Sequence, residues 1–266
     1  MRFDDVEVAD GLRIRTTSVG EPAAPVVLFG HGVGSSSRFV LDAFGGPLVE
    51  AGWQVVAHDL RGHGGSTPCA APSDYAIDAL TRDLRVLVHA VGPRVVAGVS
   101  LSGHVAVHYA TAHGHTLDAA IACLPAWSGR SEAGTGPHAA IADAVDDIGI
   151  EGMVASFSQD RSMLPWLRDV LIRDWSSHDA ASLRAALRSL DGGEAPSPEA
   201  VAELATALAL VAWPDDPGHP IEVARRWRNL APRAELVEAT MTAMQDDLTA
   251  FGAAAATALD RLGVRP

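Results

Sequence analysis

Apolar and polar residues alternate through "VEVADGLRIRTTSV", residues 6 to 19, with an Asp-Gly pair dividing the run in two. Period-two alternation around such a pair predicts an antiparallel hairpin. After Pro25 the pattern becomes an unbroken apolar run, "VVLFG", which is how a strand buried on both faces reads. "LDAFGGPLVEAG" then has helical spacing closed by Gly52, and "WQVVAHDL" reads as a strand. A helix over 76–91, the strand "RVVAGVS", a further helix and a sixth strand, "LDAAIACLP" at 117–125, complete the first half. Strand alternating with helix at this spacing predicts parallel strands joined by right-handed crossovers, an α/β sheet.

Between about 126 and 205 the strand pattern stops. Helical periodicity takes over near 138–157, 162–176, 179–190 and 197–205, with "GTGP", "SQDRS" and "DGGEAPSP" as breaks. The alternation resumes with "TALALVAW" and "AELVEA" as the last two strands, each followed by a helix, the final one at about 246–262. One domain is expected, with its core in 1–125 and 206–266 and a helical insertion between them. No internal repeat is visible.

Composition narrows the functions open to this chain. Its 266 residues suffice for a substantial core, and 48% hydrophobic with 20% charged residues is ordinary for a folded globular protein. A net charge of -13 repels phosphates, which argues against nucleic-acid or anionic-membrane partners and for a small neutral or weakly polar ligand. All basic residues are arginine, a coding bias that identifies no site. Cys69 and Cys123 make no disulfide framework, and Cys123 in "AAIACLP" reads as a buried thiol. The charged N-terminus lacks a signal-like apolar core, and no apolar run reaches membrane-spanning length, so a cytoplasmic location is expected. No pattern specifies an oligomeric state.

The chemistry centres on "GVSLSG", where a strand gives way abruptly to a helix at Ser100. Such a turn holds a nucleophile in a strained backbone conformation and needs small neighbours so that strand and helix can pass closely. Gly98 meets that need; Ser102 stands where a glycine is usual. Together with "HGVG" after the third strand, "DLRGHGGS" after the fourth and "WPDDPGHP" after the seventh, this elbow makes the chain resemble α/β-hydrolases of the Ser/Asp/His type with a helical cap. The likeness extends over nearly the whole chain. It implies a mostly parallel sheet of about eight strands, Ser100 as nucleophile, and the N–H groups of Val33 and Leu101 as oxyanion donors, with no metal or organic cofactor.

In the family the acid lies just beyond the seventh strand. Asp216 falls in that slot, with Asp215 as the competing register and Trp213 in place of the usual glycine. The family's histidine follows the eighth strand, where this chain has "TMTAMQDD" and the expected position falls near Met241 and Thr242. No histidine occurs after His219. A serine hydroxyl without a base is a poor nucleophile, so the search passes to other histidines. His219, three residues past Asp216, is the candidate surrogate base; His104 should lie beneath the elbow, and His138 and His178 belong to the insertion. His31 and His63 suit loop-organising roles, with Asp59 and Arg61 fixing the turn, and His31 is also a candidate substrate contact beside Trp127 and Trp166. Trp166, Leu167, Leu171 and Trp175 form a stripe that would roof an apolar pocket. The expected function is a serine hydrolase of esterase or related acyl-transfer type for a small, largely apolar molecule. The alternative is a degenerate member that binds a ligand, or guides a non-hydrolytic reaction, without a catalytic histidine.

Overall fold

Asp10 and Gly11 make the first turn of the chain, Gly11 adopting a φ of 71° that a side chain would resist. They join β1 (Arg2–Ala9) to β2 (Leu12–Val19), as the alternation predicts. The structure is a computed structural model that describes residues 1–131 and 137–266. The next strand, β3 (Val26–Gly30), coincides with the run "VVLFG".

The helix expected over 41–52 is less regular than its spacing suggests. It starts earlier, as α1 (Ser37–Val40), passes through a turn of π-helix at Leu41–Gly45, and ends as α2 (Gly46–Glu50). Pro47 has no N–H to donate and so cannot continue an ordinary helical ladder, and the widened turn precedes it. Next come β4 (Gln54–His58), α3 (Ile77–Val91), β5 (Val95–Val99), α4 (Leu101–His113) and β6 (Ala119–Cys123).

Four helices then intervene: α5 (His138–Gln159), α6 (Pro165–Trp175), α7 (Ala180–Ser189) and α8 (Pro198–Ala202). The first is broken at Gly149, where φ is 67°, a kink the periodicity did not announce. The chain closes with β7 (Ala207–Ala212), α9 (Ile221–Leu230), β8 (Ala234–Glu238) and α10 (Ala250–Arg261). The last helix begins four residues later than expected, because the Asp247 side chain takes the N–H and hydroxyl of Thr249 and holds a turn there.

All eight strands form one sheet in the order β1-β2-β4-β3-β5-β6-β7-β8. β2 runs antiparallel to β1 and β4, and every other neighbouring pair is parallel. The central strands β5, β6 and β7 are buried along their whole length, which explains their continuous apolar runs. Helices cover both faces: α10 packs with α2 on one, and α3 and α4 pack together on the other. The strand order changes direction around β3 and β5, so their C-terminal ends open a crevice where ligands bind in such sheets. Ser100 lies at that end, directly after β5.

Candidate active site

Ser100 adopts φ 52° and ψ -118°, one of two non-glycine residues with positive φ among the described residues. That conformation costs on the order of 1–3 kcal/mol and persists only where the surroundings impose it. Here they do. The Ser100 N–H donates to the Cys123 carbonyl at 2.8 Å, and the Ser100 carbonyl accepts from the His104 N–H at 3.1 Å. A Cβ on Gly98 would come within 2.1 Å of the Ser102 carbonyl carbon, so that position must be glycine. Ser102, the departure from the usual glycine, has its own partner: its hydroxyl donates to the His31 carbonyl at 2.5 Å, tying the elbow to the loop after β3. Room for it exists because Gly30 has no side chain; a Cβ there would meet Ser102 Oγ at 2.6 Å.

The loop after β7 brings two of its polar residues to this serine. His219 Nδ1–H donates to Asp216 Oδ2 at 2.7 Å, and Ser100 Oγ–H donates to His219 Nε2 at 3.0 Å. Both distances fall within the reach required of a base and its orienting acid. Asp216 also accepts the Gly218 N–H at 2.8 Å. Burial alone would raise the Asp216 carboxyl, but the hydrogen bond and charge of His219, with the Gly218 amide, hold it below the usual carboxylate value. Asp215 points elsewhere, to the backbone N–H groups of Met241 and Thr242 at 2.9 and 3.3 Å. Met241 and Thr242, where a histidine is usual, are thus clamped by the neighbouring carboxylate. Trp213, in the place of a glycine, is buried against Phe251 and Trp166, with ring centroids 4.5 and 5.9 Å apart.

Two cavities meet at Ser100. One, about 320 Å³, is lined by Val33, Phe39, Leu124, Trp166, Leu171 and Trp213 among other apolar side chains. The second, about 690 Å³, includes Trp127, Arg130, Ser131, Asp191 and the Pro217–Pro220 loop. Ser100, His138, Leu190 and His219 line both and form the neck between them. Trp127 lines the wider cavity and Trp166 the apolar one. Trp166 is fixed by its indole N–H, which donates to the Met241 carbonyl at 2.9 Å. The Val33 N–H donates to no group among the described residues, and Leu101 directly follows Ser100 at the head of α4.

His31 does not take the substrate-contact position expected of it. Its ring is fully buried, Nδ1–H donates to the Gly32 carbonyl at 2.7 Å, and Nε2 accepts the Leu60 N–H at 3.0 Å. With both nitrogens engaged in holding two loops together, the ring reaches neither cavity; burial pushes its pKa down to about 3. His63 is similar: Nδ1–H donates to the Arg61 carbonyl, and Nε2 accepts the Gly34 N–H. Asp59 does fix the turn, accepting the Ser37 and Gly65 amides, whereas Arg61 reaches α3 instead and pairs with Asp83 at 2.6 Å. His104 lies beneath the elbow, wholly buried, its Nε2 accepting the Ala126 N–H at 3.1 Å. His178 packs on His63 with ring centroids 4.9 Å apart, away from Ser100.

Sequence reasoning missed Arg130, Ser131 and Asp191. They come from two irregular segments whose pairing, through the Arg130–Glu194 bridge and the Ser131 N–H bond to the Gly193 carbonyl, leaves no periodic trace.

Strand order, a strained serine after β5 and crossovers on both faces define an α/β-hydrolase fold. The sequence profile of the hydrolase family described as serine aminopeptidase, S33 matches residues 21–211, and the chain belongs to that family. A segment of 86 residues is 42% identical to epoxide hydrolase A of Mycobacterium tuberculosis, covering 31% of this chain and 26% of that protein. Across the curated relatives it matches, the chain spans 26% to 42% of their length. Solved structures of similar fold include a carboxylesterase of Nitrososphaera gargenis (TM-score 0.76, 17% identity, 94% and 97% of the two chains covered). Another is the enol-lactonase of Burkholderia xenovorans LB400 (TM-score 0.74, 16% identity, 94% and 99% covered).

Proposed function

We propose that the protein is a serine hydrolase of esterase or related acyl-transfer type, acting on small, largely apolar molecules through Ser100, His219 and Asp216. The observation that carries this reading is the hydrogen-bonded chain from Asp216 Oδ2 through His219 to Ser100 Oγ, at 2.7 and 3.0 Å. His219 is thus the base that the loop after β8 does not supply. Its Nε2 takes the proton of Ser100 Oγ as that oxygen attacks the acyl carbon, and later returns it to the leaving oxygen; water repeats the cycle on the acyl-enzyme. Asp216 stays ionised throughout, fixes the Nδ1–H tautomer and stabilises the imidazolium. The Leu101 and Val33 amides receive the developing oxyanion. In the same reading the helices of 126–205 act as a cap on a single domain whose core is 1–125 and 206–266, and they supply Trp166 and Leu171 to the apolar cavity.

Turnover of short aryl esters of apolar acids tests this. Wild-type protein should hydrolyse them, and Ser100→Ala, folded by circular dichroism, should not. Equal hydrolysis by Ser100→Ala, or none by wild type against a broad ester panel, would count against it.

A further inference from the structure

The two cavities that meet at Ser100 differ in chemistry, and the proposed mechanism gives each a side of the reaction. The acyl carbonyl must point its oxygen at the Val33 and Leu101 amides, and Val33 belongs to the apolar cavity wall along with Gly32, Gly34 and Ser35. The leaving oxygen must face His219, which protonates it. His219 lines both cavities, while its neighbours Pro217, Gly218 and Pro220 wall only the wider one. The acyl group therefore extends among Phe39, Leu124, Trp166 and Leu171, and the leaving group extends toward Arg130, Ser131 and Asp191.

Arg130 is well placed to select that leaving group. Its backbone is held by a short ladder: the Gly129 N–H donates to the Pro196 carbonyl at 3.1 Å, the Ala195 N–H to the Gly129 carbonyl at 2.7 Å, and the Ser131 N–H to the Gly193 carbonyl at 2.8 Å. The Ser131 hydroxyl donates to the Leu190 carbonyl at 2.8 Å. Arg130 is solvent-exposed and lines this cavity, so a ligand there comes within reach of a guanidinium that water also reaches. Burial lowers the pKa of His138, and the charge of Asp191, the carboxylate in the same cavity, partly opposes that shift.

We propose, building on the serine-hydrolase reading above, that the wider cavity is the leaving-group subsite and that Arg130 gives it a preference for leaving groups bearing a carboxylate. The substrate class is then an ester of an apolar acid with a carboxylate-bearing alcohol or phenol. Water attack on the acyl-enzyme releases the apolar acid, and the carboxylate-bearing alcohol departs first with the proton from His219.

A matched pair of substrates tests this: the 3-carboxyphenyl and 3-carbamoylphenyl esters of one apolar acid, which differ in the charge of the leaving group. Wild type should favour the anionic ester in kcat/KM by about fivefold, the scale of a charge-assisted contact at a partly solvated site. Arg130→Gln should abolish that ratio, Arg130→Lys should restore part of it, and Asp191→Asn should increase it. Opposite shifts on removing charges of opposite sign would not arise from general loosening of the fold. A ratio near one in wild type, or a ratio unmoved by Arg130→Gln, would overturn the proposal.

Binding to Ser100→Ala reads the subsite without any catalysis. 3-Hydroxybenzoate should bind more tightly than 3-hydroxybenzamide, and Arg130→Gln in that background should erase the difference. Equal binding of the two would overturn the subsite even in an active enzyme. Selective binding with no ester turnover would leave the subsite standing and sink the serine-hydrolase reading instead.

Discussion

Asp215 and Asp216 are adjacent in the chain and turn in opposite directions: Asp216 accepts the Nδ1–H of His219, while Asp215 accepts the backbone amides of Met241 and Thr242. The loop after β7 thus contains both an acid and its histidine three residues apart, and its other carboxylate anchors the loop after β8. Under the proposed mechanism Asp216→Asn leaves the geometry but favours the wrong histidine tautomer, and kcat should fall by about ten-thousandfold. Asp215→Asn should cost about 1 kcal/mol of stability, the weight of a weakened hydrogen bond at an exposed site, with kcat reduced far less. Steady-state kinetics with urea unfolding on both variants checks the contrast; equal losses in kcat would assign the acid wrongly.

Ser102 and Gly98 define what the elbow tolerates. Ser102→Gly restores the more usual residue but removes the bond to the His31 carbonyl, and should lower unfolding free energy by about 1–2 kcal/mol. Gly98→Ala places a methyl group into the backbone of Ser102 and should cost several kcal/mol, on the order of 3 or more. Thermal unfolding midpoints separate the two. A neutral Gly98→Ala would contradict the close passage of β5 and α4.

Four of the five buried histidines make the fold most sensitive to acid. Burial pushes His31 and His104 down to about 3, His58 to about 4, and His63 well below its ordinary value. In the unfolded chain they take up protons near pH 6.5. The unfolded state therefore binds more protons than the folded one between about pH 6.5 and 4, and stability, full above that window, falls as pH drops through it. Each histidine contributes about 1.4 kcal/mol per pH unit, so His31, His58 and His104 together give a slope of roughly 4 kcal/mol per unit at mid-window, and His63 adds in the same direction. Urea midpoints at pH 7, 6 and 5 measure it. A midpoint flat over that range would mean these rings are charged or exposed.

The sequence made the sheet legible because its buried strands are written as apolar runs with turn residues at both ends: β3 coincides with "VVLFG", and β7 and β8 each fall within a residue or two of their predicted bounds. Elements governed by single side chains were less so. Pro47, which lacks an N–H, and Asp247, through its side-chain bonds to Thr249, shifted helix boundaries, and Gly149 broke α5 where helical spacing continued on both sides. Ser100, Asp216 and His219 were each visible as residues. Their mutual distances were not, since Ser100 and His219 are 119 positions apart and only the parallel register of β5, β6 and β7 brings their loops together. The same limit misplaced His31, whose position in "HGVG" carries no sign that both ring nitrogens are spent on backbone groups.

The account rests most on His219 as the group that activates Ser100. The second-order rate constant for labelling by a fluorophosphonate probe reads that activation directly, because the reagent reports on the serine and requires no knowledge of the natural substrate. Wild type should label rapidly at Ser100, and His219→Gln, folded by circular dichroism, should label about a thousandfold more slowly or worse. Equal labelling rates in wild type and His219→Gln would contradict the account, and would mean that a different group supplies the base.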